Sequence, residues 1–244
     1  MNAAHRYDLV AFGAHPDDVE LSAGGTLAKE VAAGRQVAIV DLTRGQLGTR
    51  GTVQTREEEA AAAGQILGIH HRENLGMEDG WFEVDQPHLL RVIESLRRLR
   101  PRVVLANALS DRHPDHGRGA ALVSRACFLA GLARVETRDT ETGAAQAPWR
   151  PEAVYHYIQD RDRTPDFVVD ITGFEEVKMQ AVLAFATQFH RPDDDGPATP
   201  ISSPEFLEHL RGRMRTIGRP AGFAYAEGFE SERVVGVDDL FALR

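Results

Sequence analysis

The chain reads as an α/β protein with a Rossmann-like, mostly parallel sheet and helices on both faces. Three observations predict it: short apolar runs with the length of buried strands, intervening segments with helical spacing and start or stop signals, and regular alternation of the two. "YDLVAFGA" is the first strand, "GGTLAKEVAAG" a helix closed by Gly34, and "QVAIVDLT" a second buried strand, which together open a parallel βαβ unit. "TREEEAAAAGQILG" follows as a helix, with a capping box from Thr55 to Glu58 and a stop at Gly68. "QPHLLRVIESLRRLRP" carries Leu90, Ile93 and Leu96 on one face and stops before Pro101, after which "RVVLAN" is a strand. "GRGAALVSRACFLAGLA" is the next helix, and "TRDTETGAAQAPWRP" a polar loop. Strands resume with "AVYHYIQ" and "FVVDIT", and the helices "FEEVKMQAVLAFATQF" and "SPEFLEHLRGRMRTI" complete the pattern. Between those helices, "HRPDDDGPATPISS" is a solvated loop or a lid over a site.

With 244 residues, 42% of them hydrophobic, the chain has enough apolar mass for one full core, and a single domain over 1–244 is expected. A formal charge of -9 without a Lys/Arg block gives no footprint for a polyanion, so nucleic acid is not an expected partner. The single cysteine, Cys127, lies in an apolar helical pattern and is read as buried filler in a reducing compartment. The N-terminal stretch lacks a signal-peptide pattern and no run is long enough to span a bilayer, so a cytoplasmic location without membrane attachment is expected.

The first strand ends in "AHPDDVE", His15 to Glu20. In doubly wound sheets ligands bind beyond the carboxyl ends of the strands at the point where winding reverses, and this cluster sits there. Pro16 biases His15 toward extended backbone, so His15 and Asp18 converge across a tight turn while Asp17 is aimed separately. A second cluster, "SDRHPDHGR", follows "RVVLAN" in the same way. With strand order 3-2-1-4 the two loops face each other, bringing His15 and Asp18 against His113 and His116. If one of those two histidines joins, a His, Asp, His shell results, with a position left open as in catalytic zinc sites. The isolated His5, His70, His71, His88, His156 and His209 are read as surface or hydrogen-bonded core residues, and His190 borders the candidate lid. Gly45, Gly48 and Gly51 in "TRGQLGTRGT" are read as loop flexibility, because no GxGxxG follows the first strand.

Together "AHPDDVELSAGGTLA", "DLTRGQLGTRGT", "TREEEAAAAGQILG", "RENLGMEDG" and "DRHPDHGRGAALV" resemble the LmbE/PIG-L family of zinc-dependent N-acetylglucosamine deacetylases, with an echo in "AFATQF" and "AYAEGF". The "DRHPDH" turn and closing "YAEGF" are most similar to the bacillithiol branch, which deacetylates N-acetylglucosaminyl-malate. Carried over by position, the resemblance implies an LmbE-like fold and one Zn²⁺ per chain, for which Fe²⁺ accepts the same ligands. It makes His15, Asp18 and His116 the metal ligands, Asp17 the general base, and a protonated His113 the group that steadies the tetrahedral intermediate. Arg56 matches a family arginine that contacts substrate, or is a solvent-exposed helix arginine; Arg112 contacts the malate carboxylates through its bidentate fork, or forms a surface ion pair; and the resemblance implies a homo-oligomer, with a hexamer as its relatives' frequent form. The chain departs from the pattern in one respect: "ANALSDRHPDH" offers Asn107 and Leu109 where some members place a tyrosine.

The expected chemistry is hydrolysis of an N-acetyl group on a small glycoside. The cation polarises the carbonyl and acidifies water, Asp17 takes the water's proton, and each donor to the developing oxyanion is worth about 3 kcal/mol. The departing amine is protonated by Asp17 or by His113. Two other readings stand beside this one. A metal phosphoesterase would need two metals and more bridging carboxylates, and a non-catalytic sugar-binding protein would have no use for Asp17.

Overall fold

The structure, a computed structural model, describes residues 6–189 and 196–242. Five strands run parallel: β1 (Tyr7–Gly13), β2 (Val37–Thr43), β3 (His71–Met77), β4 (Pro101–Ala106) and β5 (Ala153–Tyr157). Two more, β6 (Phe167–Asp170) and β7 (Ala226–Ser231), pair antiparallel, with β7 lying between β6 and β5. Among the described residues the sheet order is β3-β2-β1-β4-β5-β7-β6. The chain therefore reverses its winding between β1 and β4, as the expected 3-2-1-4 order requires, and opens a crevice beyond their carboxyl ends.

Among the described residues six helices cover the sheet: α1 (Asp18–Ala32), α2 (Val53–Leu67), α3 (Gln86–Leu99), α4 (Pro114–Ala130), α5 (Glu175–Leu183) and α6 (Pro204–Gly218). Strand residues alternate between two apolar layers. Leu9, Ala11, Val37 and Ile39 pack with Leu27, Met179, Val182 and Met214, while Val10, Phe12, Val40 and Leu42 pack with Val92, Ile93, Val123 and Cys127. Burial on both faces explains why β1 and β2 read as unbroken apolar runs.

Three helix starts differ from the sequence expectation. α1 begins at Asp18 rather than at the Gly24–Gly25 pair, which lies mid-helix because other elements crowd it there: a Cβ on Gly25 would stand 2.7 Å from Ile171 Cδ1. α2 is capped at Thr52, whose hydroxyl accepts from Thr55 N–H while Thr55 returns the bond, so the capping box lies three residues before the expected one. α4 begins at Pro114, which makes His113 its N-cap. Two strands gave no legible signal. β3 is a polar edge strand of "HRENLGM", and β7, "AEGFES", has Gly228 at its centre. Part of the candidate lid, His190 to Asp195, lies outside the described residues.

Candidate metal and catalytic site

β1 delivers His15 to Asp18 to the crevice, and β4 delivers Asp111 to His116. Asp17 is the N-cap of α1 with φ 115°, a left-handed conformation in which a side chain costs about 1–3 kcal/mol unless its surroundings hold it. Asp18, in the first turn of α1, is the meeting point: its Oδ2 lies 3.6 Å from His15 Nδ1, and its Oδ1 lies 3.0 Å from His116 Nε2. The three imidazoles of His15, His113 and His116 each bring a nitrogen within 4.8 Å of the others.

Each of the two histidines that touch Asp18 spends its other nitrogen on a further carboxylate. His15 Nε2 lies 2.9 Å from Asp79 Oδ1 and 3.4 Å from Asp115 Oδ2, and His116 Nδ1 lies 2.6 Å from Asp111 Oδ2. This carboxylate-backed geometry fixes ring orientation and raises ligand basicity, as behind metal-bound histidines. Amides steady Asp18 in turn: Asn107 Nδ2 donates to Oδ2 at 3.0 Å, and Gln159 Nε2 to Oδ1 at 3.2 Å. His15, Asp79 and Asp115 form a second cluster of possible donors. Its carboxylates are already engaged, Asp79 by Leu47 N–H and Asp115 by Gly80 N–H and Arg118, so it reads as a brace for His15.

The electrostatics fit a divalent cation. Burial alone would lower both histidines, but Asp115, Asp18 and Asp79 carry His15 well above its ordinary value, and Asp18 with Asp111 raises His116 to about 9. Burial would raise Asp18, and His116 and His15 outweigh it and hold its carboxyl well below the carboxylate range. The field that attracts protons to these rings equally attracts a metal, which displaces protons on binding. Among the described residues His15, His113 and His116 are the three whose nitrogens converge as possible donors, with Asp18 against two of them, and three protein ligands are the number that leaves a coordination position open. Asp17 is different: burial pushes it up to about 7, with Arg56 opposing.

Arg56 is buried and donates from Nη2 to Asp17 Oδ2 at 3.0 Å and to the Pro16 carbonyl. Gly45, with φ 63°, exists for this contact, since a Cβ there would collide with the Arg56 guanidinium; close approach, rather than flexibility, is its reason. His113 is half-buried, and its Nδ1 accepts from Asp115 N–H, so the ring's proton sits on Nε2. Burial lowers the pKa of His113 and the neighbouring His15 and His116 imidazoles add to that, the direction opposite to the one an imidazolium needs. Arg112 is exposed and paired to Asp160 at 2.7 Å.

These groups line one cavity of about 380 Å³, together with Leu47, Gly48 and Thr49 of the "TRGQLGTRGT" loop and residues of α6. His209, read from sequence as an ordinary surface or core residue, is on this wall. Asp79, Asp111, Asp115 and Gln159 were not assigned site roles from sequence. Asp111 and Asp115 flank the histidines in "SDRHPDHGR" and Asp79 lies in "RENLGMEDG", both detectable signals, whereas Gln159 arrives through tertiary contacts alone.

The fold is α/β with a possible His/Asp metal site at its crevice, and the chain belongs to the PIG-L (GlcNAc-PI de-N-acetylase) family, whose model matches residues 10–127. It is 30% identical over 228 residues to the diacetylchitobiose deacetylase of Thermococcus kodakarensis, covering 88% of this chain and 79% of that protein. The crystal structure of a conserved Thermus thermophilus protein, TT1542, is 38% identical, with a TM-score of 0.82 over 95% of this chain and 98% of the other. A 4-oxalmesaconate hydratase of Pseudomonas putida is 29% identical over 207 residues, 78% of this chain and 77% of that protein. The fold is thus LmbE-like and the family one of N-deacetylases.

Proposed function

We propose that the protein hydrolyses the N-acetyl group of an N-acetylglucosamine conjugate, N-acetylglucosaminyl-malate being the substrate the sequence favours, with one divalent cation per chain, zinc or ferrous iron. His15, Asp18 and His116 would hold the cation. The observation that carries this reading is Asp18 in contact with both histidines, each backed by its own carboxylate, beside a spare carboxylate, Asp17, kept near neutral pKa.

When bound, the cation supplies a Lewis acid that polarises the acetyl oxygen and acidifies water. Asp17 accepts the proton of the attacking water, and its pKa of about 7 lets it accept and return a proton near neutral pH. Arg56 holds Asp17 on its turn and keeps the carboxylate form populated. His113 donates through Nε2–H toward the charge developing on the acetyl oxygen, a contribution of about 3 kcal/mol. Because its Nδ1 is already an acceptor, loss of the Nε2 proton would leave an imidazolate, so Asp17 rather than His113 returns the proton to the departing amine.

Acetate release from N-acetylglucosaminyl-malate, diacetylchitobiose and N-acetylglucosamine tests this reading. Acetate from at least one of them, abolished by chelation and restored by one equivalent of Zn²⁺ or Fe²⁺, is expected. No acetate from any, with hydration of an unsaturated carboxylate instead, would overturn it in favour of the chemistry named for the Pseudomonas relative.

A further inference from the structure

Among the described residues three arginines line the catalytic cavity, and they differ in how their charge is met. Arg56 has Asp17 at 3.0 Å and Arg112 has Asp160 at 2.7 Å. Arg213, on α6, has its nearest carboxylate among the described residues at 3.7 Å, Asp162 Oδ1, beyond hydrogen-bond distance. The Asp162 side chain is 86% exposed, so solvent screens even that contact, whereas the Arg213 side chain is only 13% exposed. Its one hydrogen bond among the described residues is from Nη2 to the Arg161 carbonyl at 3.2 Å. Burial accordingly pulls its pKa down, against the more distant pull of Asp162, Asp160 and Asp111. A guanidinium has five donors in a planar fork; largely buried and given one protein carbonyl, it gains from an oxyanion that engages the fork.

Position adds to charge. Arg213 and His209 form a wall shared by the catalytic cavity and a neighbouring groove of about 1130 Å³ between α6 and β6. A group attached to the sugar and leaving the cavity toward the groove would pass this guanidinium.

We propose that Arg213 is a specificity-determining residue that receives an anionic aglycone, a carboxylate or phosphate joined to the amino sugar. The assignment rests on the deacetylase reading and moves the anion contact from Arg112, which is exposed and already paired through Nε to Asp160, to Arg213. The test compares the wild-type protein with Arg213→Gln and Arg213→Lys on three substrates: methyl N-acetylglucosaminide, N-acetylglucosaminyl-malate and N-acetylglucosamine 1-phosphate. In Arg213→Gln the ratio of kcat/KM for an anionic substrate to that for the neutral one falls about 10- to 100-fold, mainly through KM. Arg213→Lys restores part of the ratio, since it keeps the charge and loses the fork. The substrate with the larger loss tells carboxylate from phosphate. Equal losses on all three substrates would overturn the proposal and leave the deacetylase reading standing. If the wild-type protein releases no acetate at all, that reading fails, and calorimetric titration with L-malate and inorganic phosphate decides: weaker binding by Arg213→Gln supports the assignment, and unchanged binding ends it.

Discussion

Asp17 combines three costs, a left-handed backbone, burial and an adjacent carboxylate, and a non-functional turn would shed all of them. Arg56 is the compensation, reaching across from α2 to hold both the Asp17 carboxylate and the turn's carbonyl at Pro16. Behind His15 and His116 the carboxylates of Asp79 and Asp111 set which nitrogen faces Asp18. We expect Asp79→Asn and Asp111→Asn each to weaken metal affinity about 10- to 100-fold without changing the ligand set. Competition with a chromophoric chelator measures it, and affinities equal to wild type would assign those carboxylates to structure alone. At this scale the sequence was most legible where chemistry is type-specific: His15, Asp17, Asp18 and His116 announce themselves in two short turns. Gln159 does not, because an ordinary amide becomes part of a site only through the direction in which a distant loop points it. Arg56 was legible as a site residue, but its grip on Asp17 was not.

Two charge pairs, one buried and one half-buried, set the positions of whole elements. Glu227, in β7, takes the backbone N–H groups of Gly25 and Thr26 in α1 and the ammonium of Lys178 in α5, with the side chains of Lys178 and Glu227 each 2% exposed. The "AYAEGF" echo is therefore a fastening for the helix that carries Asp17 and Asp18 at its start. Lys178→Met leaves that carboxylate buried without a cation and should cost about 3–5 kcal/mol in urea unfolding, while the double variant with Glu227→Gln recovers part of the loss. A loss below about 1 kcal/mol would mean solvent reaches the pair. On the far edge, Glu73 of β3 accepts from Ser95 of α3 and pairs with Arg98. Burial would raise Glu73, but His71, Ser95 and Arg98 outweigh it and hold it below the ordinary value. A depressed carboxylate stabilises the fold above its unfolded pKa, and that contribution disappears as pH falls through the folded value. Glu73→Gln should therefore cost about 1 kcal/mol at pH 7, with the gap closing below about pH 4. A gap independent of pH would remove the carboxylate charge from the account. Neither fastening was legible, since each joins residues whose partners only the tertiary fold brings together, and β3 itself hid behind its polar edge-strand composition.

For the molecule as a whole, topology does what no single segment does. The apolar runs β1 and β4 become neighbours, Tyr7 opposite Pro101 and Ala11 opposite Leu105, so the loops that follow them meet at the winding reversal. This much followed from the alternation of strands and helices, because parallel connections allow few alternatives. At the other end β5 and β6 were legible as strands but β7 and its antiparallel pairing with them were not, yet this end supplies Gln159 just past β5 and packs against α6, a wall of the cavity. Among the described residues no helix is long and apolar enough to cross a membrane.

The central claim is a division of labour between one cation, held across the two loops, and Asp17, which moves the proton. Metal content measured beside acetate release in Asp17→Asn and His15→Ala tests it most directly. We predict one equivalent of metal in Asp17→Asn with turnover reduced by at least about 10²- to 10⁴-fold, and loss of both metal and turnover in His15→Ala. Equal metal loss in the two variants, or full turnover in Asp17→Asn, would contradict it.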